Sequence, residues 1–287
     1  MKTTDIFKKK RVFSFEVFPP KRTMPIESIY NTLDELSALK PDFISVTYGA
    51  GGSQSSYTIE IASKIKKDYG IESVAHLPCL YLSEDEAKNI IEKLSREGIE
   101  NILALRGDRV PDTEPEKRFG YANELISFIR GENDNMNILA ACYPEGHTES
   151  ANKIDDLRNL KRKVDSGASH LVSQLFFDNG YFYDFLEKAR IAGIETPIEA
   201  GIMPVINKKQ IERMASLCGA SLPVKFLKMM DRYGDSPEAM RDAGIAYAVD
   251  QIVDLAANRV DGIHLYTMNN PYIAKRISEA VRSIIEH

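Results

Sequence analysis

The stretch Arg11–Lys21, RVFSFEVFPPK, sets one carboxylate, Glu16, among Val12, Phe13, Phe15, Val17 and Phe18 and then stops at Pro19-Pro20. A run this rich in Val and Phe reads as a strand buried on both faces, the kind found in parallel sheets. Proline cannot donate to a sheet ladder, so the pair marks the strand's end. An open doubly wound sheet would place a Gly-rich phosphate loop after its first strand, and the two prolines stand there instead. Neither core packing nor the strand pattern asks for an acid at position 16.

Seven further apolar runs follow at βα spacing: Phe43–Tyr48, Ser73–Leu80, Asn101–Gly107, Asn137–Tyr143, His170–Phe177, Pro197–Val205 and Gly262–Met268. Amphipathic stretches separate them, such as SEDEAKNIIEKLSREG (83–98), IDDLRNLKRKVDSG (154–167) and YFYDFLEKARIAG (181–193). Ser83 with Glu86 three residues on spells a capping box, and Gly98, Gly167 and Gly193 sit where helices end. Eight strands alternating with helices predict a (β/α)8 TIM barrel over residues 1–287, a single domain, with extra helices at 222–234 and 236–258 between strands seven and eight.

Composition narrows the function classes. A formal net charge of −5 offers no positive field for nucleic acid or an anionic membrane, and no apolar run approaches the length of a span. Cys79, Cys142 and Cys218 are too few and scattered for a disulfide framework, so a reducing, cytoplasmic setting is expected. The start, MKTTDIFKKKR, lacks the apolar core of a signal peptide and reads as a short solvated lead-in.

In a barrel of this type the chemistry belongs at the C-terminal ends of the strands. The polar residues there are Glu16, Thr47, Tyr48 with GAGGSQ (49–54), His76, Arg106-Gly107-Asp108, Tyr143, Glu145, His147 and Gln174. The histidines lie on different elements without metal-ligand spacing, so no metal is expected, and no GxSxG elbow or Cys with a neighbouring base is present.

FSFEVFPPK, FISVTYGAGGS, HLPC, ILALRGD, AACYPEGH and LRNLKRKVDSGASHLVSQLFFD follow one another here in the order and spacing of methylenetetrahydrofolate reductase. The chain resembles that family, in its bacterial single-domain form, over nearly its whole length. The resemblance implies a barrel that binds FAD, takes hydride from NADH or NADPH, and reduces 5,10-methylenetetrahydrofolate to 5-methyltetrahydrofolate. It makes Glu16 the general acid that opens the folate's five-membered ring. Desolvation among Phe and Val favours a neutral carboxyl, which suits that task. The same residue would otherwise be a structural carboxylate accepting backbone donors.

By the same resemblance Asp108 lies where flavin and pterin meet and Gln174 holds the substrate, with Thr47 and Gln210 as further folate contacts. Alone, Asp108 would be a helix N-cap and Gln174 a barrel-layer amide. The FAD set implied is Thr47, Tyr48, Ala50, His76, Arg106, Gly107, Asp108, Tyr121, Ala122, Tyr143, His147, Asp156, Asn159 and Lys163. Arg106 and Lys163 suit a pyrophosphate, whereas Lys161-Arg162-Lys163 taken separately is a solvated helix face. Met214 and Asn270 depart from the bacterial pattern, which has a phenylalanine and an arginine there. Met cannot stack like an aromatic ring, and Asn brings no charge.

Two other functions fit a barrel with this acid: one-carbon transfer on a pterin without flavin, and a flavoprotein subunit reduced by an electron-carrier protein. The family also implies a homo-oligomer.

Overall fold

Each strand turns an apolar face to the surrounding helices and buries its other face inside the barrel, and this burial dictates the architecture. The computed structural model describes residues 1–21, 23–48, 55–110, 113–116 and 118–287. Strands β1 (Val12–Val17), β2 (Phe43–Val46), β3 (Glu72–Pro78), β4 (Asn101–Leu105), β5 (Asn137–Cys142), β6 (His170–Ser173), β7 (Ile198–Ile202) and β8 (Gly262–Tyr266) pair in parallel in chain order. β8 returns to β1 with Val12 beside Gly262 and Glu16 beside Tyr266, so the barrel closes.

Around it stand the helices α1 (Thr4–Phe7), α2 (Tyr30–Ser37), α3 (Ser55–Tyr69), α4 (Glu84–Arg96), α5 (Ala122–Glu132), α6 (Lys153–Asp165), α7 (Asn179–Ile191), α8 (Lys208–Cys218), α9 (Val224–Tyr233), α10 (Pro237–Ala257) and α11 (Pro271–Ile285). The expected pair between strands seven and eight is α9 and α10. Ser83 and Glu86 form the reciprocal capping box of α4. Gly98, Gly167 and Gly193 follow α4, α6 and α7 in left-handed backbone at φ 76°, 117° and 73°, where an L side chain would be strained.

Side chains alternate along β1: Phe13, Phe15 and Val17 join the core shared with the helices, while Ser14 and Glu16 face the other way and meet groups from β3, β7 and β8. Space across the barrel is tight at β7. A Cβ on Gly201 would stand 2.3 Å from the Ser173 carbonyl and 2.7 Å from the Tyr266 hydroxyl, so only glycine lets Tyr266 cross to β6.

The N-terminal segment is not the solvated lead-in expected from its charges. Thr3 is fully buried and Ile6 nearly so, packed with Val12, Phe43, Val74, Leu103, Leu139 and Val172, inward residues near the strand starts. An eight-stranded barrel leaves its lower mouth open to water, and α1 covers it. Lys8, Lys9 and Lys10 alone of the charge run stay in solvent, since Arg11 is half-buried.

Candidate active site

Glu16 reaches the site from the C-terminal end of β1, and the β8–α11 connection fixes it. Thr267 donates its hydroxyl to the Glu16 carbonyl at 2.6 Å, and Asn269 both accepts from the Phe18 N–H at 2.9 Å and donates to its carbonyl at 2.8 Å. Met268 and Asn269 hold left-handed backbone, φ 52° and 53°, a local strain stored beside the acid. The Glu16 side chain is buried, and two imidazoles converge on one of its oxygens: His76 Nε2 from β3 and His264 Nε2 from β8 each lie 3.6 Å from Oε2. Burial pushes His76 down to about 4, so it is neutral. Tyr266, also beside Glu16, is pushed well above the usual phenol range by burial. Among the described residues no lysine or arginine pairs with the carboxyl.

A second group assembles past β4 and β5. Arg106 forks onto Glu149 with both guanidinium nitrogens at 2.6 Å, which holds the Glu149 carboxyl down at about 2. The Tyr143 and His147 rings meet edge to face at 4.7 Å. Lys163 does not lie on a solvated face as its neighbours do. Its ammonium passes 5.4 Å from the Tyr143 ring to donate to the Ala141 carbonyl at 2.9 Å, and burial lowers its proton affinity. Asp156 accepts from Ser150 at 2.8 Å, and its charge acts on both Tyr143 and Lys163. Gly107 adopts φ 88°, and a Cβ there would strike Pro78 at 2.9 Å.

The remaining expected residues are spread more widely. Gln174 lies just past β6 rather than within it; its N–H donates to the Cys142 carbonyl at 2.7 Å and its side-chain oxygen accepts from the Leu175 N–H at 2.9 Å. Thr47 and Tyr48 follow β2, and the Thr47 carbonyl accepts from Thr58 at 3.0 Å. Asp108 is exposed past β4, close enough for its charge to act on Arg106 and Tyr143. Ala122 is buried at the start of α5, with Tyr121 exposed before it. Asn159, on α6, accepts from Arg162 at 3.0 Å, and Gln210 is exposed in the first turn of α8; neither has a contact to the acid or to the Arg106 group among the described residues. Ala50 and the rest of GAGGSQ lie outside the described residues. Asn270 caps α11, accepting from the Ile273 N–H at 3.2 Å, and Met214 packs at the edge of the cluster around Phe226 and Met230.

Three inward residues escaped the reading of the sequence as parts of the site: Ser14, His264 and Glu199. Each carries the signal that singled out Glu16, a polar residue inside an apolar strand. Burial raises the Cys142 thiol and pushes Cys79 up to about 12, so neither is a nucleophile at neutral pH. Among the described residues no group of three or more His, Cys, Asp or Glu is placed to hold a metal ion. A groove of about 540 Å³ on the outer wall is lined by helix residues, Tyr30, Glu60 and Lys64, with Glu97 at the end of α4, and by none of the strand-end residues above.

Comparison with known proteins agrees with this fold. A family model described as methylenetetrahydrofolate reductase matches residues 2–282. The chain is 37% identical over 257 residues to 5,10-methylenetetrahydrofolate reductase of Escherichia coli, covering 89% of this chain and 86% of that protein. It is 35% identical over 285 residues to methylenetetrahydrofolate reductase 1 of Schizosaccharomyces pombe, but spans only 46% of that longer protein. Among solved structures, a Clostridium thermocellum protein described as binding two copies of 5-methyl-5,6,7,8-tetrahydrofolic acid has the same fold, with a TM-score of 0.68, 13% identity and 99% of each chain covered.

Proposed function

Since the chain belongs to the methylenetetrahydrofolate reductase family, we propose that it reduces 5,10-methylenetetrahydrofolate to 5-methyltetrahydrofolate with FAD as cofactor and NADH or NADPH as hydride donor. The observation that carries the proposal is Glu16: a buried carboxyl at a strand's C-terminal end, faced by two imidazoles, that of His76 neutral, and by no lysine or arginine among the described residues. A carboxyl in that place can hand a proton to a substrate bound at the strand ends.

The chain's donors fit FAD. Glu149 occupies both guanidinium nitrogens of Arg106 in the two-pronged geometry that a phosphate uses, and being half exposed it can leave. Arg106, with Lys163 nearby, would hold the pyrophosphate, and Gly107 would let backbone approach. Tyr143 and His147 offer flat apolar surface. When bound, FAD supplies the means of passing hydride equivalents between two substrates.

The protein's own part is positioning and proton delivery. Glu16 donates its proton to the folate, the five-membered ring opens, and the resulting iminium carbon becomes the hydride acceptor. Gln174, able to donate and accept at once, fits a pterin edge, with Asp108 at the same mouth. The nicotinamide leaves before the folate arrives, a ping-pong order. The proposed setting is the cytoplasm, with a homo-oligomer as the working form.

The test is direct. Purified protein should be yellow, release FAD on denaturation, and turn over methylenetetrahydrofolate. A protein that stays colourless after FAD is added would contradict the proposal in favour of flavin-free one-carbon transfer.

A further inference from the structure

Glu16 shares the barrel interior with a second acid. Glu199, on β7, is fully buried, and no lysine or arginine pairs with it among the described residues. Its place is provided by Gly262, where a Cβ would stand 2.9 Å from Glu199 Cγ. From Glu199 a file of polar groups leads to Glu16. Ser14 Oγ lies 2.8 Å from Glu199 Oε1 and 2.6 Å from His264 Nδ1, and His264 Nε2 lies 3.6 Å from Glu16 Oε2. On the other side His170 Nε2 is 3.6 Å from Glu199 Oε2, and His170 Nδ1 is 3.3 Å from the Thr3 hydroxyl.

Counting protons gives this file a direction. Thr3 Oγ1 accepts from Asn137 at 2.8 Å, which leaves its own proton for His170 Nδ1. In its neutral form His170 then carries its proton at Nε2, 3.6 Å from Glu199 Oε2. Ser14 gives its single proton to Glu199 Oε1 and must accept from His264 Nδ1–H. In its neutral form His264 then keeps its lone pair at Nε2, the atom 3.6 Å from Glu16 Oε2. A lone pair there favours a carboxyl that carries a proton over one that carries a charge. A charge on Glu199 would act in the same sense, because like charges resist a second ionisation nearby. The other titratable groups against Glu16, His76 and Tyr266, are both neutral.

We propose that Glu199 is a positioning residue: through Ser14 and His264 it keeps Glu16 in its proton-carrying form. The role rests on Glu16 as proton donor and adds to it a second carboxyl that never meets the substrate.

Two-bond 1H–15N correlation spectra of the flavin-loaded protein, with His264 assigned by its loss in His264→Gln, report which ring nitrogen carries the proton; Nδ1–H is expected. In Glu199→Gln the amide donates to Ser14, Ser14 donates to His264 Nδ1, and the Nε2–H form is expected. The alkaline limb of folate reduction then moves down by about one pH unit or more, about tenfold in rate on that limb, while reduction of the flavin by nicotinamide keeps its rate. Added to Ser14→Ala, the same substitution should shift the limb no further, since the link is already cut. If Glu199→Gln does not fold, Ser14→Ala alone must shift the limb. Nε2–H in the unmutated protein, or an unmoved limb in the variants, would overturn the proposal. An absence of folate turnover with the tautomer still flipping in Glu199→Gln would sink the functional assignment and uphold the linkage.

Discussion

One carboxyl oxygen of Glu16, a buried residue, lies 3.6 Å from each of two imidazole nitrogens. Removing the proton while keeping the shape isolates its role: Glu16→Gln should retain FAD and lose about 10²-fold or more of folate reduction. His76 gives the same cluster a signature in stability. Its proton affinity falls to about 4 in the folded chain, against about 6.5 when unfolded. Between those values the unfolded chain binds more protons, so stability is fully present above about pH 6.5 and is lost as pH falls toward 4. The loss attributable to this residue is up to about 3 kcal/mol. Urea titrations at pH 7 and pH 5 should show it, and His76→Gln should flatten the difference; an equal difference in that variant would assign the loss elsewhere.

At the scale of elements, the barrel's ends are held by particular contacts. Gly201→Ala would press a methyl group into the Ser173 carbonyl and the Tyr266 hydroxyl. A loss of about 2 kcal/mol or more in chemical denaturation is expected, and a neutral outcome would mean that β7 shifts freely. Thr3→Val should cost about 1–3 kcal/mol, because Asn137 and His170 lose their common hydroxyl partner inside the barrel. The eight strands were legible because βα alternation repeats a local pattern, apolar run then amphipathic run, which needs no knowledge of distant contacts. Helix punctuation was legible for the same reason: Ser83 and Glu86 meet within one turn. The plug at Thr4–Phe7 was not, because four residues carry no period and their partners lie on strands as far away as β6. The end of β6 was overrun at Gln174. Its ladder with β7 pairs only Leu171 with Ile198 and Val172 with Glu199, and where two strands diverge is a matter of sheet twist rather than of residue type.

For the molecule as a whole, polar residues inside an apolar barrel are informative only once closure brings them together. Glu16 stood out by resemblance as well as by oddity, whereas Glu199, equally odd in its strand, needed the return of β8 to β1 to connect it through Ser14 and His264. Lys163, placed in the FAD set by resemblance and among three surface charges by its own helix pattern, is turned by α6 toward the Ala141 carbonyl. A net charge of −5 places the burden of holding an anionic cofactor on local cations. Arg106→Gln should therefore weaken FAD retention by about tenfold, a loss near 1.4 kcal/mol, read by flavin fluorescence on dilution; unchanged retention would move the pyrophosphate away from Arg106. The central claim is that one barrel mouth serves two hydride exchanges and that Glu16 is needed for the second. Anaerobic stopped-flow absorbance of the bound flavin tests it. NADH or NADPH alone should bleach the flavin in both the unmutated protein and Glu16→Gln, and methylenetetrahydrofolate should restore the colour rapidly only in the former. Equal recovery in both, or no bleaching by either nicotinamide, would contradict the account.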